Sequence, residues 1–309
     1  MKYVITGSLG HIGKPLTEKL RAAGHEVTVI SSNPERAKEI EALGAKAAIG
    51  LLDDYAFLTT AFTGSDAVFT MVPPKLDAPD WKEYIHQVGI IYKDAILEAG
   101  VKKVVNLSSI GANLPEGCGP VSGLCSVENE LNKLQQTDVL HLRPGYFYYN
   151  FLGNIGMIKQ AGIIGSNFGG VTMVLSHPED IAAVAAEAML SLGSAGGGAP
   201  TAAGDPTGAF TGKTVRYIAS DERTTDEIAR VLGAAIGKPD LQWVAFSDED
   251  TLDGLLKAGF SEDVAANYVE MGTSLGNGSM TADYNKNKPA FGPTKLEDFA
   301  KEFGAAYNA

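Results

Sequence analysis

The chain opens Met-Lys-Tyr-Val-Ile-Thr-Gly-Ser-Leu-Gly-His-Ile-Gly, and no other segment constrains its fold as strongly. The apolar run 3–5 reads as a buried strand. It stops at a turn with glycines at Gly7, Gly10 and Gly13. A helical pattern follows, with Ile12, Leu16 and Leu20 four apart and Pro15 in the first turn, where a missing N–H is no loss. Strand, glycine turn and helix together present free backbone N–H groups and a positive helix end to a phosphate. In this reading Gly7 makes the tight turn and Gly10 lets the backbone approach a pyrophosphate. Gly13 lets the helix pack closely on the strand. Ser8, Leu9, His11 and Ile12 supply the backbone between, His11 acting through its main chain. The alternative is a glycine turn that is only structural.

Strand and helix patterns alternate through the first half. Strands are expected at 3–6, 26–30, 47–49, 67–71, 103–107 and 139–142. Helices are expected between them at 12–23, 34–43, 56–62, 81–99 and 127–135. Such alternation means right-handed βαβ units and a parallel sheet, and continuous apolar strands mean helices on both faces. The predicted fold class is α/β: a doubly wound parallel sheet of the Rossmann kind, with a smaller C-terminal α+β lobe. The nucleotide-binding domain is expected at 1–150 and the substrate lobe at 151–309. Segments at about 171–192 and 213–246 are expected to return to the main domain. The stretch 193–212, rich in Gly, Ala, Pro and Thr, reads as a mobile loop. Later helices are expected at 178–192, 225–236, 249–258 and 263–275, with strands at 214–219 and 242–246. Thr294 is read as the N-cap of the last helix. Ligands of doubly wound sheets lie at the carboxyl ends of the strands, so the lobe is expected to close over that edge.

Composition narrows the function. Apolar residues make up 45% of the 309 and charged residues 20%, so a sizeable core needs no staple. A net charge of −12 and a pI near 4.9 argue against a nucleic-acid or anionic-membrane surface. The N-terminus enters a strand at once, and no apolar stretch is long enough for a membrane span. Two cysteines, Cys118 and Cys125, read as free thiols of a cytoplasmic protein, with a redox pair as the alternative. No spacing suggests a metal site.

The motif Thr6-Gly7-x-x-Gly10-x-x-Gly13 resembles that of the short-chain dehydrogenase/reductase superfamily. Ser31-Ser32-Asn33-Pro34-Glu35-Arg36-Ala37, Val104–Ser109, Val127-Glu128-x-x-Leu131, Leu142–Asn150 and Pro178–Ala182 are similar to its atypical, NmrA-like branch. Within that branch the chain is similar to bacterial NADPH-dependent quinone reductases and to the redox-sensing regulators related to them. The resemblance implies a nicotinamide dinucleotide cofactor. NADP(H) is favoured over NAD(H), because no carboxylate stands at the tip of the second strand to accept from a ribose or repel a 2′-phosphate. Ser31, Ser32, Asn33 and Arg36 stand there instead. Asn33 also suits a helix cap, and Arg36 a solvated surface. By the same resemblance Leu51 and Leu52 lie beside the adenine, where the family usually has an Asp at the position of Leu51. Val72 and Pro73 flank the ribose and nicotinamide, and Pro144 lies near the cofactor.

Standard members of the superfamily use Tyr-x-x-x-Lys as general acid. The family spacing counted back from Glu128 places those residues at Pro120 and Leu124, and 119–128 holds no Tyr, Lys or His. Ser108 and Ser109 remain at a strand end, where they can touch the nicotinamide ribose or a substrate carbonyl. Tyr146, Phe147, Tyr148, Tyr149 and Phe151 follow the last strand of the first half, so some of these rings are expected to line the crevice. Tyr146, Tyr148 or Tyr149 are candidates for a displaced proton donor, and their alternative role is inter-lobe core. A quinone accepts hydride without a strong acid, because its ring stabilises the phenolate. The leading expectation is therefore an NADPH-dependent oxidoreductase acting on a quinone or aromatic carbonyl. The alternatives are a non-catalytic NADP(H) sensor acting through a protein partner, and an enzyme of small phenolic or sugar-like metabolites. A homodimer is left open.

Overall fold

The computed structural model describes residues 1–193 and 210–309. The stretch expected as a loop at 193–212 falls almost wholly outside the described residues. The first half is a run of strand–helix units. β1 (Lys2–Ile5) leads to α1 (Gly13–Ala22), β2 (Glu26–Ser31) to α2 (Ala37–Ala42), and β3 (Lys46–Ile49) to α3 (Tyr55–Phe62). β4 (Ala67–Thr70) leads to α4 (Trp81–Ala99), and β5 (Lys103–Leu107) to α5 (Pro120–Asn132) and β6 (Asp138–Pro144). After β6 come β7 (Tyr146–Phe147), α6 (Ile155–Ala161), β8 (Ile164–Ser166), β9 (Thr172–Ser176) and α7 (Pro178–Leu190). The chain then runs through β10 (Lys213–Ile218), β11 (Asp221–Thr224), α8 (Thr225–Ala235) and β12 (Trp243–Ala245). It ends with α9 (Asp248–Lys257), α10 (Glu262–Gly276) and α11 (Leu296–Asn308).

Among the described residues the main sheet has the order β10-β6-β5-β4-β1-β2-β3, every pair parallel. Its central strands are apolar on both faces, because helices cover both. Leu16 and Leu20 of α1 pack with Ile181, Ala185 and Met189 of α7 against Ile5, Val29 and Phe69. On the other face Ile85, Tyr92 and Ile96 of α4 and Val127 and Leu131 of α5 pack against Val4, Val68 and Val104. The lobe has its own core of Tyr148, Phe151, Ile228, Leu232, Phe299 and Phe303. Its sheets are β11-β9-β7 and β12-β8.

Three sequence expectations change. The helix expected at 127–135 begins seven residues earlier, at Pro120. Its N-terminal half is poor in large apolar residues because α4 and α5 lie against each other through glycines. A Cβ on Gly123 would stand 2.9 Å from Ile85 Cβ, and one on Gly89 would stand 3.0 Å from Val127 Cα. Thr294 is not the cap of the last helix. Lys295 holds that position, and the Thr294 hydroxyl donates to Asp180 at 2.8 Å. Of the segments expected to return to the main domain, α7 covers the sheet and β10 pairs with β6, whereas β11, α8 and β12 lie in the lobe.

His141 sits in the middle of β6, between two asparagines. Its Nδ1 accepts from Asn106 Nδ2 at 3.1 Å, and its Nε2 donates to Asn132 Oδ1 at 3.0 Å. Protonating Nδ1 would set a donor against a donor, and burial lowers the imidazole pKa to about 4. The unfolded chain takes up this proton near pH 6.5 and the native chain does not. Stability from this residue is therefore complete above about pH 6.5 and declines as the pH falls toward 4. A shift of this size corresponds to about 3 kcal/mol. Urea denaturation at pH 7.5 and pH 4.5 should give a difference that shrinks by more than half in His141→Gln.

Candidate functional site

The site is built on the carboxyl ends of β1, β4 and β5. Gly7 turns the chain with φ +89°, and a Cβ there would collide with Met71 Sδ at 2.0 Å. Ser8 follows with φ +58°, the one non-glycine with positive φ among the described residues. Its N–H donates to the Ile30 carbonyl at 3.0 Å, which holds the turn against β2. Gly13 is needed because a Cβ would stand 2.1 Å from the Ser8 carbonyl oxygen. The close approach that Gly13 permits is thus to the turn itself. Gly10 lacks the positive φ of Gly7 and the crowding of Gly13: a Cβ there would meet nothing nearer than the Gly7 carbonyl at 3.6 Å. The fold does not demand glycine at 10, but an open approach to the backbone does. This cradle fits the pyrophosphate of a dinucleotide.

Tyr92 of α4 braces the cradle from below. Its hydroxyl donates to the Met71 carbonyl at 2.7 Å and lies 3.2 Å from Thr6 Oγ1, which accepts from the Met71 N–H at 2.9 Å. Burial keeps this phenol neutral far above its usual range. The sequence marks Tyr92 only as part of an apolar helical stripe, so its bracing role is not visible there. Val72 and Pro73 continue from Met71 and are half-buried. Leu51 is 56% exposed and Leu52 half-buried, at the tip of β3.

The adenosine side is more committed than the sequence implies. Ser31 is buried, and its hydroxyl accepts from Ser8 Oγ at 3.0 Å and from the Asn33 N–H at 3.2 Å. Asn33 caps the following turn by accepting from the Glu35 N–H at 2.9 Å. Arg36 pairs with Glu39 at 2.5 Å, both exposed. Ser32 is exposed.

The catalytic side differs from expectation. Ser108 is 4% exposed, and its hydroxyl donates to Glu128 Oε1 at 2.5 Å. Glu128 is gripped by Arg143, whose Nε and terminal nitrogen reach its two oxygens at 2.9 and 2.6 Å. Arg143 donates onward to the Tyr217 hydroxyl at 3.1 Å, and Tyr217 donates to Asp283 of the lobe. Ser108 is therefore a member of a buried ion-pair network, not a free hydroxyl facing a carbonyl. Pro144, at the end of β6, is buried, and its carbonyl accepts from the Ile110 N–H at 2.8 Å.

The aromatic run separates. Tyr146 stands near Tyr268 of α10 and Asn150, its ring 5.3 Å from Phe151, and burial raises its pKa. Tyr148 is fully buried in the lobe, stacked on Phe299 at 5.3 Å, with its hydroxyl on the Thr294 carbonyl. It cannot serve as the displaced proton donor. Tyr149 faces the glycine turn. Its ring lies 3.9 Å from that of His11, and its hydroxyl donates to Glu302 at 2.8 Å. Burial first, and Glu302 second, push its pKa up to about 12. His11 therefore contributes its ring as well as its backbone. Both cysteines are free and buried, with pKa values raised mainly by burial, so neither is a ready nucleophile. A cavity of about 430 Å³ opens beside the turn, lined by Gly10, His11, Lys14, Arg36, Tyr149 and His177 among others. Among the described residues no helix is long and apolar enough to cross a membrane.

Comparison with known proteins agrees with this geometry. Residues 7–146 match the NAD(P)H-binding family. The chain is 25% identical over 193 residues to a (4-alkanoyl-5-oxo-2,5-dihydrofuran-3-yl)methyl phosphate reductase of Streptomyces griseus. That match covers 62% of this chain and 64% of the relative, so the likeness spans less than two thirds of that protein. It is 27% identical over 265 residues to an NAD(P)H azoreductase of Xenophilus azovorans, covering 85% of this chain and 83% of that one. A crystal structure of an NADPH-dependent quinone oxidoreductase from Escherichia coli, complexed with NADPH, superposes with a TM-score of 0.77. It is 20% identical and covers 97% of this chain and 99% of that chain. The resemblance to atypical short-chain reductases and the Rossmann-like fold are borne out.

Gly10→Val should lower NADPH affinity at least a hundredfold, by calorimetry, with a circular dichroism spectrum like that of the parent. Tyr149→Ala, aimed at the His11 stack, should weaken NADPH binding about fivefold, whereas a residue lining only the substrate would leave NADPH affinity unchanged.

Proposed function

We propose, from the match of residues 7–146 to the NAD(P)H-binding family, that the chain is an NADPH-dependent reductase of quinones or similarly conjugated carbonyls. One observation carries the choice of acceptor. The positions of the usual acid and its lysine are Pro120 and Leu124, and the nearby Ser108 hydroxyl is spent on Glu128. Reduction of an isolated ketone creates an alkoxide that needs a proton at once. Reduction of a quinone creates an anion that its own ring stabilises. A site without a strong acid therefore selects acceptors of the second kind.

When bound, the reduced nicotinamide supplies two electrons and a hydrogen. The chain's own residues hold, orient and exclude. Backbone N–H groups from Gly7 to Gly13 would hold the pyrophosphate, while Tyr92 and Thr6 fix the turn against Met71. Leu124, where a charged lysine is usual, packs against the apolar core and offers no proton. Tyr146 is a neutral phenol over the physiological range. It can donate a hydrogen bond to an acceptor oxygen, and the product takes its last proton from water. The names of the azoreductase and quinone oxidoreductase relatives support conjugated acceptors as a class. The quinone itself is this proposal's own step.

The lack of an acid equally favours a second reading, an NADP(H) sensor that performs no chemistry. The two separate in one assay. Protein saturated with NADPH should oxidise it with simple quinones at least a hundred times faster than with unactivated ketones. Ser108→Ala should change the quinone rate less than threefold, because the hydroxyl already faces Glu128. No turnover above buffer across a quinone and enone panel overturns the enzyme reading in favour of the sensor.

A further inference from the structure

Helix α10 is held by two parts of the molecule on two different faces. Asp263, Asn267, Glu270 and Ser274 follow one another at helical spacing and turn toward the main domain. Asp263 Oδ2 accepts from the Trp81 N–H, at the start of α4, at 2.8 Å. Glu270 pairs with Lys82 at 2.5 Å, and the Ser274 hydroxyl lies 3.1 Å from Cys118 Sγ. The Asn267 carbonyl oxygen packs on Gly119, where a Cβ would stand 2.0 Å away. The other face belongs to the lobe. Asn167 Nδ2 donates to the Val269 carbonyl at 2.9 Å and to Asp248 of α9 at 2.7 Å. A Cβ on Gly272 would stand 1.8 Å from Asn167 Oδ1. Asn167 therefore fixes the start of α9 and the middle of α10 at one point.

The face toward the main domain is polar and incompletely paired. Asn267 Nδ2 donates to the carbonyl and the carboxylate of Asp263 at 2.9 and 3.1 Å, which leaves Oδ1 as its open acceptor. That Oδ1 is buried without a partner among the described residues, and so is the indole Nε1 of Trp81. Both residues are buried. A donor on one side of the interface and an acceptor on the other thus both regain water when the sides part. Val264, buried in one cluster with Trp81 and Ile85, resists parting, as does the Tyr268 ring, 5.3 Å from that of Trp81. Helix α9 adds nothing to this resistance, because it contributes no buried side chain. Polar interfaces between parts of one chain allow relative motion.

This face covers the segment where the usual acid and its lysine would stand. Gly119, under the Asn267 carbonyl, precedes Pro120, and Leu124 packs with the cores of both main domain and lobe. We propose that the hairpin of α9 and α10 is a lid over the acceptor end of the site, closed in this structure, pivoting at Asn167 and latched by Asp263 on the Trp81 N–H. This rests on the reductase reading above. The tip of the hairpin, 258–265, lifts from Trp81 and Gly119 to admit a flat acceptor, and its return shuts the acceptor away from water. Asp263 touches neither cofactor nor acceptor, so it is a positioning residue.

Hydrogen exchange read by mass spectrometry, on the full chain with NADPH, tests the lid without any turnover. In wild type the amides of 265–268 should exchange about tenfold faster than those of 271–275, which Asn167 holds. Asp263→Ala should speed 265–268 about tenfold further and leave 271–275 unchanged. Asp263→Asn should recover most of that protection, because its amide oxygen still accepts from the Trp81 N–H. Lys82→Ala cuts only the surface tie to Glu270 and should speed the same amides about threefold. The four proteins are then assayed with 2-methyl-1,4-naphthoquinone. Asp263→Ala should raise kcat/KM about threefold and leave NADPH affinity within twofold, since the latch delays acceptor entry and not cofactor binding. Uniform exchange along α10 in all four proteins overturns the lid. Faster exchange in Asp263→Ala with an unchanged or lower kcat/KM overturns its role as a gate. The exchange contrast without quinone oxidation by any of the four supports the motion and overturns the reductase reading on which its acceptor role rests.

Discussion

The buried pair between Glu128 and Arg143 is the interaction on which the junction of main sheet and lobe depends. Their side chains are 5% and 8% exposed, and both oxygens of the carboxylate are held by the guanidinium. Removing one partner of such a pair leaves an uncompensated buried charge, which costs about 3–5 kcal/mol. The pair joins α5 to β6, takes the hydroxyl of Ser108 from β5, and reaches Tyr217 on β10 and Asp283 in the lobe. It thus ties together the ends of β5 and β6, β10 and the lobe. The same pair explains why a serine at the end of β5 does not act as an acid here. Its proton already has an acceptor.

Much of this was legible in the sequence, and for clear reasons. The glycine turn, the alternating apolar runs and the parallel sheet rest on local chemistry: φ of glycine, strand burial on two faces, helix periodicity. Two of the three glycines carry the expected steric demand, although the neighbour that Gly13 spares is Ser8 and not β1. The loss of the acid dyad was visible as the bare identities of Pro120 and Leu124. What was not visible depends on pairing across long separations. His11 lies far in sequence from Tyr149, and only the fold brings their rings to 3.9 Å. The start of α5 was missed because its glycine at 123 answers to Ile85 on another helix. Thr294 has the composition of a cap and a tertiary partner, Asp180, that takes it away.

The aromatic run illustrates how local geometry decides between readings that the sequence leaves open. Four consecutive rings cannot share one environment, and the backbone distributes them. Tyr146 and Phe147 lie in a short strand, so they point to opposite sides. Phe147 joins the apolar layer beneath the sheet and Tyr146 the lobe side. A 3-10 helix then begins at Tyr148, with about 120° between successive residues. Tyr148 turns into the lobe core and Tyr149 out toward the glycine turn.

The consequence reaches the cofactor side. Tyr149 holds the His11 ring on one side and Glu302 of α11 on the other, so the phosphate turn is tied to the last helix of the chain. Tyr148, one residue earlier, stacks on Phe299 of that same helix. Two adjacent side chains therefore both contact α11, and one of them also contacts the turn. The segment that reads as substrate-lining in the sequence instead connects the glycine turn to the lobe through Tyr149 and packs into the lobe through Tyr148. Tyr146 packs on the lobe side with its ring 5.3 Å from Phe151, so a run that reads as one aromatic patch in the sequence is divided among three environments: the layer beneath the sheet, the lobe and the glycine turn.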